Sequence, residues 1–218
     1  MARMFPEELP REVLEDSRRS SEVLVYNALR DQLSDKYHVY YSSPWLGTNP
    51  DGSEIDGESD FLVAHSEKGM LSIEVKGGIV GIDNNDQWTS IDRHRFKRDI
   101  KNPVQQARSS KYQLLKKLKE SPHWQPRFIC ARHGVILPHS VRPARDFRPD
   151  MPLKLFAFDT DMNVLEDWVT SRLGSGETGD DRIRPLGDDG LYALDDMLAR
   201  TIQLRVSLST NVNQDMKD

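Results

Sequence analysis

The sequence predicts an α/β domain in which a mixed sheet is flanked by helices, and three observations carry that expectation. The elements read in the order helix, strand, hairpin, helix, strand, strand, so strands and helices are interleaved rather than segregated. Residues 60–76, DFLVAHSEKGMLSIEVK, read as a strand, a turn and a second strand with the two-residue period of a strand buried on one face. At 218 residues the chain is long enough for one well-cored domain with additions.

Composition narrows the setting. The single cysteine, Cys130, excludes an internal disulfide and a zinc site built from cysteines, and it suits a reducing compartment. The first residues lack the apolar core of a signal peptide, and no continuous apolar span of membrane length occurs. A cytoplasmic protein is therefore expected. The net charge of −5 does not announce a nucleic-acid binder, but nearly every charge in 93–119 is basic and 166–196 is mostly acidic. A local basic surface is what phosphate binding needs.

Residues 1–16 are polar, with Pro6 and Pro10, and read as an extended arm. Residues 17–34 read as a helix with Val25, Tyr26, Leu29 and Leu33 on one stripe. Glu22 shares that stripe. It is either a first-turn acid favoured by the helix dipole or a group that reaches the hairpin from the packed helix. Residues 37–43 read as a strand and 44–57, rich in Gly, Pro, Asn, Asp and Ser, as a loop. Its acids Glu54, Asp56 and Glu58 are expected in water, though any one could lie near the hairpin carboxylates, and Trp45 is expected in packing.

In the hairpin a loop over 65–69 sets Ala64 against Met70, Leu62 against Ser72 and Asp60 against Glu74. A one-residue slip would mismatch the apolar faces. Directly opposed side chains lie about 4.5–5.5 Å apart at Cβ and like charges there repel, so a positive group is expected between the two carboxylates. Lys76 on the same face supplies part of it, and a divalent metal could supply more. Mg²⁺ prefers oxygen ligands. Asp60, Glu74 and the Val75 carbonyl offer them, and Lys76 could orient or help deprotonate an attacking water. The alternative is a solvent-facing, salt-bridged hairpin.

Gly77 and Gly78 permit a turn or a close approach. A short strand at 79–82, a turn before Trp88, and the basic run Arg93, His94, Arg95, Lys97, Arg98 and Lys101 follow. Asn102 and Pro103 suit a helix N-cap and first position, with the helix running to about residue 120 on the stripe Val104, Ala107, Leu114 and Leu118. Gln106 on a neighbouring strip could bond a phosphate, or the helix is simply amphipathic. Residues 127–137 and 153–159 read as buried strands, with His133 as a core histidine. Residues 161–173 and 191–201 read as helices separated by a linker. No Gly-rich phosphate loop, Ser/His/Asp arrangement or nucleotide fingerprint occurs, so no ATP site is expected.

Taken together, Glu22, Asp60, Glu74-Val75-Lys76-Gly77-Gly78 and Asn102-Pro103-Val104-Gln105-Gln106-Ala107 resemble the nuclease-related domain family, NERD, over roughly residues 17–137. That family belongs to the PD-(D/E)XK superfamily of restriction-endonuclease-like folds. The stretches GESDFLVAH, SIEVKGG and IKNPVQQA are most similar to NERD segments ahead of superfamily 1 DNA helicases, which implies a helicase motor in the same full-length chain. The resemblance implies a Mg²⁺- or Mn²⁺-dependent DNA nuclease with Asp60 and Glu74 as metal ligands, Lys76 positioning water, Glu22 as accessory acid and Gln106 near the substrate phosphate. Ser59-Asp60 stands where the superfamily name calls for Pro-Asp, which removes no ligand. Arg95, Lys97, Arg98, Lys101 and Lys111 are the candidate DNA contacts. The expected layout is an arm at 1–16, the nuclease-like core at 17–160, a helical extension at 161–206 and a polar tail at 207–218. A non-cleaving DNA-binding or docking module for a helicase is the alternative function.

Overall fold

The computed structural model describes residues 1–48, 51–174 and 182–199. Its centre is a mixed six-stranded sheet in the order β1 (Arg3–Phe5), β2 (Tyr37–Thr48), β3 (Glu54–His65), β4 (Gly69–Val75), β8 (Ala131–Ile136), β9 (Phe156–Ala157). The β2–β3–β4 pairings are antiparallel, and β1 with β2, β4 with β8 and β8 with β9 are parallel. The parallel step from β4 to β8 needs a long crossover. It contains a separate antiparallel sheet, β5 (Ile79–Ile82), β6 (Trp88–Ile91) and β7 (Lys97–Ile100), and then α3 (Pro103–Glu120).

The hairpin has the expected register from Phe61 to His65, with Ala64 opposite Met70 and Leu62 opposite Ser72, but the ladder stops at Phe61 and Ile73, so the expected pairing of Asp60 with Glu74 is not made. The hairpin is buried on both faces rather than one. Phe61, Val63, Leu71 and Ile73 pack against α2 (Ser20–Gln32) and α4 (Leu165–Leu173), while Leu62, Ala64 and Met70 pack against α3 and α5 (Gly187–Leu198). Ser72 and Glu74 are the polar alternates of a central strand, not of a solvent face, and both are buried.

Three segments differ from the sequence reading. Of the strand expected over 153–159 only β9 forms, after a 3-10 turn at Leu153–Leu155, because the pairing with β8 covers two residues. The expected arm is docked: β1 lines up beside His38 to Tyr40, α1 (Arg11–Glu15) follows, and Ala2, Met4, Leu9 and Val13 are buried. The Tyr26 hydroxyl lies 2.8 and 2.7 Å from the Pro6 and Glu7 carbonyls and ties the segment to α2. The apolar-polar alternation of Ala2, Arg3 and Met4 is the edge-strand signal, too short to outweigh the prolines. The loop over 44–57 is instead strand on both sides, with Thr48 opposite Glu54. This ribbon lies on α3, where Trp45 Nε1 donates to Ser110 Oγ at 3.0 Å and Ser110 Oγ donates to the Glu58 carbonyl at 3.0 Å. Gly57 serves close packing under the Trp45 ring, which a Cβ would strike.

The cap of α3 is as expected, Asn102 Oδ1 accepting from the Val104 and Gln105 N–H groups at 3.0 and 3.1 Å. A 3-10 turn at Asp159–Val164 precedes α4. On α5, Asp195 accepts from the Tyr40 hydroxyl at 2.7 Å and pairs with His38 Nδ1 at 2.9 Å. The tail at 207–218 and the middle of the expected linker lie outside the described residues. Among the described residues, no helix is long and apolar enough to cross a membrane.

Candidate functional site

The site forms where β3 bends. The β2–β3 ladder pairs Tyr41 with Phe61 and resumes at Ser43 with Ser59, passing over Ser42 and Asp60. Ser42 has φ 55°, the left-handed region that non-glycine residues rarely occupy. The β3–β4 ladder likewise ends at Phe61 and Ile73. Beyond it, a side chain takes over the pairing: Asp60 Oδ2 accepts the Val75 N–H at 2.7 Å. The strand period then places Glu74 and Lys76 on one face, and Lys76 Nζ lies 2.6 Å from Glu74 Oε1. The Glu74 side chain is 3% exposed and that of Lys76 22%.

Negative charge here is under-compensated. Burial, then the Glu74 carboxylate, holds the Asp60 carboxyl well above the usual range, and Glu22 adds to this, against the Val75 N–H and Lys76. Burial also raises Glu74, opposed by Lys76 and reinforced by Glu22 and Glu58. Two acids that both resist ionisation beside a single contacting ammonium form an environment a further cation would relieve.

Glu22 does not touch the pair but its field reaches both members. Its Oε2 accepts from the Tyr41 hydroxyl at 2.6 Å and Arg19 Nε at 3.0 Å. Burial, then Glu22, pushes the Tyr41 phenol up. Arg19 also lies 3.7 Å from Glu58, and Ser42 donates to the same carboxylate. The sequence does not single out Tyr41 or Arg19; Glu58 keeps the solvent access expected of it, its side chain 42% exposed, while also reaching Arg19. The available signal for its place near the site was that Glu58 precedes Asp60 by two strand positions.

Asp60, Glu74 and the Val75 carbonyl are hard oxygen donors of the type Mg²⁺ and Mn²⁺ take, with water and phosphate oxygens completing the shell. Among the described residues no group of three His, Cys, Asp or Glu side chains is placed to hold a metal, so a fit rests on these two carboxylates and the backbone. Gln106 on α3 has a buried Oε1 without a hydrogen-bond partner among the described residues, but so do Gln113 Oε1, Trp88 Nε1, Trp168 Nε1 and Arg172 Nε, so this does not by itself mark a phosphate contact.

The basic candidates divide. Arg95, with φ 66°, belongs to the β6–β7 turn, Lys97 and Arg98 to β7, and Lys101 follows it; all four are exposed. This small sheet is rooted on the glycine pair, where Ser90 Oγ donates to the Gly77 carbonyl at 2.7 Å. Lys111 is placed differently from the other four: it is 8% exposed, its Nζ lies 4.0 Å from the ring centroid of the exposed Tyr112, and burial lowers its pKa. Its place seven residues after Val104 and three before Leu114 puts it on the buried stripe.

His133 is half-buried near Lys111, Arg172, Arg108 and Arg132, and burial followed by these cations lowers it from 6.5 to about 4. The folded value lies below the unfolded one, so as pH falls the unfolded chain takes the proton first. Its stabilising contribution is full above pH 6.5 and is lost down to about pH 4. Thermal midpoints across that window should fall less steeply in His133→Gln than in the parent; identical slopes would refute the assignment.

No curated protein and no solved structure matches the chain. The family model described as the nuclease-related domain matches residues 17–137, a segment that contains Glu22, Asp60, Glu74, Lys76 and Gln106. With more than half of its length matched, the chain belongs to the nuclease-related domain family, NERD.

Proposed function

We propose that the chain is a Mg²⁺- or Mn²⁺-dependent DNA nuclease of the PD-(D/E)XK type that hydrolyses phosphodiester bonds. The observation that carries this reading is the half-buried Asp60 beside the buried Glu74, both shifted toward protonation, with Lys76 in contact with Glu74. Asp60, Glu74 and the Val75 carbonyl would hold the metal. Bound there, it would supply positive charge to a phosphate oxygen and make a coordinated water more acidic.

The chain's own groups account for the remaining tasks. Lys76 Nζ, one hydrogen bond from Glu74, would position the attacking water and hold charge near the phosphate. Glu22, fixed by Tyr41 and Arg19, would sustain the negative field that retains the cation. The Gln106 amide would meet the substrate phosphate. The resemblance to helicase-linked segments supports a further reading, that this unit works with a helicase in the same full-length chain, in DNA processing or in defence against foreign DNA.

A second reading, a non-cleaving DNA-binding or docking module, is favoured by one observation: one oxygen of each carboxylate is already engaged internally, Asp60 by the Val75 N–H and Glu74 by Lys76. The two readings separate on incubation with single- and double-stranded DNA in Mg²⁺, Mn²⁺ or chelator. The nuclease reading expects cutting that chelator removes and that Lys76→Ala reduces by about 10²–10⁴-fold. DNA binding without cutting under any metal would replace it with the docking module.

A further inference from the structure

The turn between β6 and β7 presents an exposed aromatic ring inside a run of cations. Arg93, His94, Arg95, Phe96 and Lys97 are all exposed, and Phe96 retains 65% of its surface. A lone exposed apolar side chain is ordinary. This one is distinguished by its rigid mounting, its neighbours and its position.

The mounting is an acid consumed by the backbone. Asp92 Oδ1 accepts from the His94 and Phe96 N–H groups at 2.8 and 3.0 Å. The Arg95 N–H reaches the Asp92 carbonyl at 2.9 Å and the Asp92 N–H the Phe96 carbonyl at 3.1 Å. Arg95 takes φ 66° to close the turn. Asp92 thus spends one oxygen on the turn backbone and sets the other 3.5 Å from Arg98 Nη2, and the stretch from Arg93 to Lys97 carries cations and no acid.

The position is next to the glycine pair that follows Lys76. A Cβ on Gly78 would lie 2.5 Å from the Ile91 carbonyl, Ile91 is opposite Lys97, and Phe96 is the next residue. At about 4.8 Å per strand and about 3.3 Å per residue, the Phe96 backbone stands on the order of 10 Å from Gly78.

We propose that Phe96 is a stacking platform for an unpaired base of the DNA strand lying beside the candidate cleavage site, with Arg93, Arg95 and Lys97 holding the flanking phosphates. The choice of DNA rests on the nuclease reading. Within it, a flat π-face between cations matches a single strand, whose bases stack on aromatic rings and whose phosphates bind the cations irrespective of sequence. The small sheet then feeds a strand toward Asp60 and Glu74.

The test measures binding of a fluorescent oligo-dT and of an abasic oligomer of equal length, with Mg²⁺ and in a Lys76→Ala background that limits cutting. Phe96→Ala should weaken oligo-dT binding about 5- to 100-fold, leave abasic binding and the salt dependence unchanged, and retain the parent's thermal midpoint. Lys97→Ala should weaken both ligands and reduce the salt slope by about one. Phe96→Trp supplies a direct signal, because Trp45, Trp88, Trp124 and Trp168 are all buried: the new exposed fluorophore should be quenched by oligo-dT and not by the abasic chain. Equal oligo-dT binding by Phe96→Ala and its parent, with Lys97→Ala impaired, would overturn the stacking role and leave the nuclease reading intact. If neither oligomer binds the parent, the platform and the DNA reading fall together.

Discussion

Asp60→Asn is expected to make the protein more stable while reducing metal-dependent DNA cleavage at least about 100-fold. The two effects share one cause. Burial and Glu74 hold the Asp60 carboxyl well above 3.8, so ionising it at neutral pH costs folding free energy. For an acid whose folded value is raised, the stabilising contribution is present below the unfolded value and is lost as pH rises through the folded one. The amide keeps the shape and can still accept from the Val75 N–H, now at 2.7 Å, without the charge. Each pKa unit by which a folded carboxyl is held up is worth about 1.4 kcal/mol between its two protonation states, so removing the charge should stabilise by on the order of 1 kcal/mol or more. At about 2–4 °C per kcal/mol for a chain of this size, the thermal midpoint should rise several degrees at pH 7 and converge with the parent in acid. Mg²⁺ should raise the parent's midpoint further and leave the variant's unchanged, since binding to the folded state alone stabilises it by mass action. A variant less stable than the parent at pH 7, or one that still responds to Mg²⁺, would contradict this account of the site.

Gly78→Ala should be among the most damaging single substitutions near the site. Gly78 has φ 76°, and a Cβ there would meet the Ile91 carbonyl at 2.5 Å and Ser90 Oγ at 2.6 Å. The left-handed backbone costs a residue with a side chain about 1–2 kcal/mol, and forcing atoms into a packed contact adds about 1–3 kcal/mol. The sum, roughly 2–5 kcal/mol, lowers the thermal midpoint by about 4–20 °C. Because the obstruction includes backbone of β6, it should also loosen the root of the β5–β7 sheet, visible as faster amide exchange there. Gly77→Ala is the contrasting case. Its Cβ would strike the Ser21 hydroxyl, whereas the Ser21 Cβ is 3.3 Å away, so Gly77→Ala should destabilise and the added Ser21→Ala should restore most of the loss. A Gly78→Ala protein within about 0.5 kcal/mol of the parent would show that the glycine pair does not anchor the small sheet.

The candidate site was legible where strand periodicity carried it. Two-residue spacing placed Glu74 and Lys76 on one face, and the alternating apolar pattern set the register that faces Leu62 with Ser72. Helix periodicity put Glu22 on the packed stripe of α2. The same rule marks Lys111 as buried, yet its charge and the basic run around it suggested a surface contact. Composition misled at the β2–β3 ribbon, where glycines that permit close packing resembled glycines that permit turning.

By itself, then, the sequence determined the interleaved α/β pattern, the hairpin and its register, the cap at Asn102 and the acidic pair with its lysine, because each depends on residues close together in the chain. Only the tertiary structure decided that β4 is covered on both faces, that the first residues complete the sheet edge, that Tyr41 and Arg19 hold Glu22 while Arg19 also reaches Glu58, and that Ser90 and Ile91, which lead into the Asp92–Phe96 turn, pack against Gly78. Those arrangements depend on which faces meet across long stretches of chain, and burial and electrostatic fields act through space rather than along the sequence.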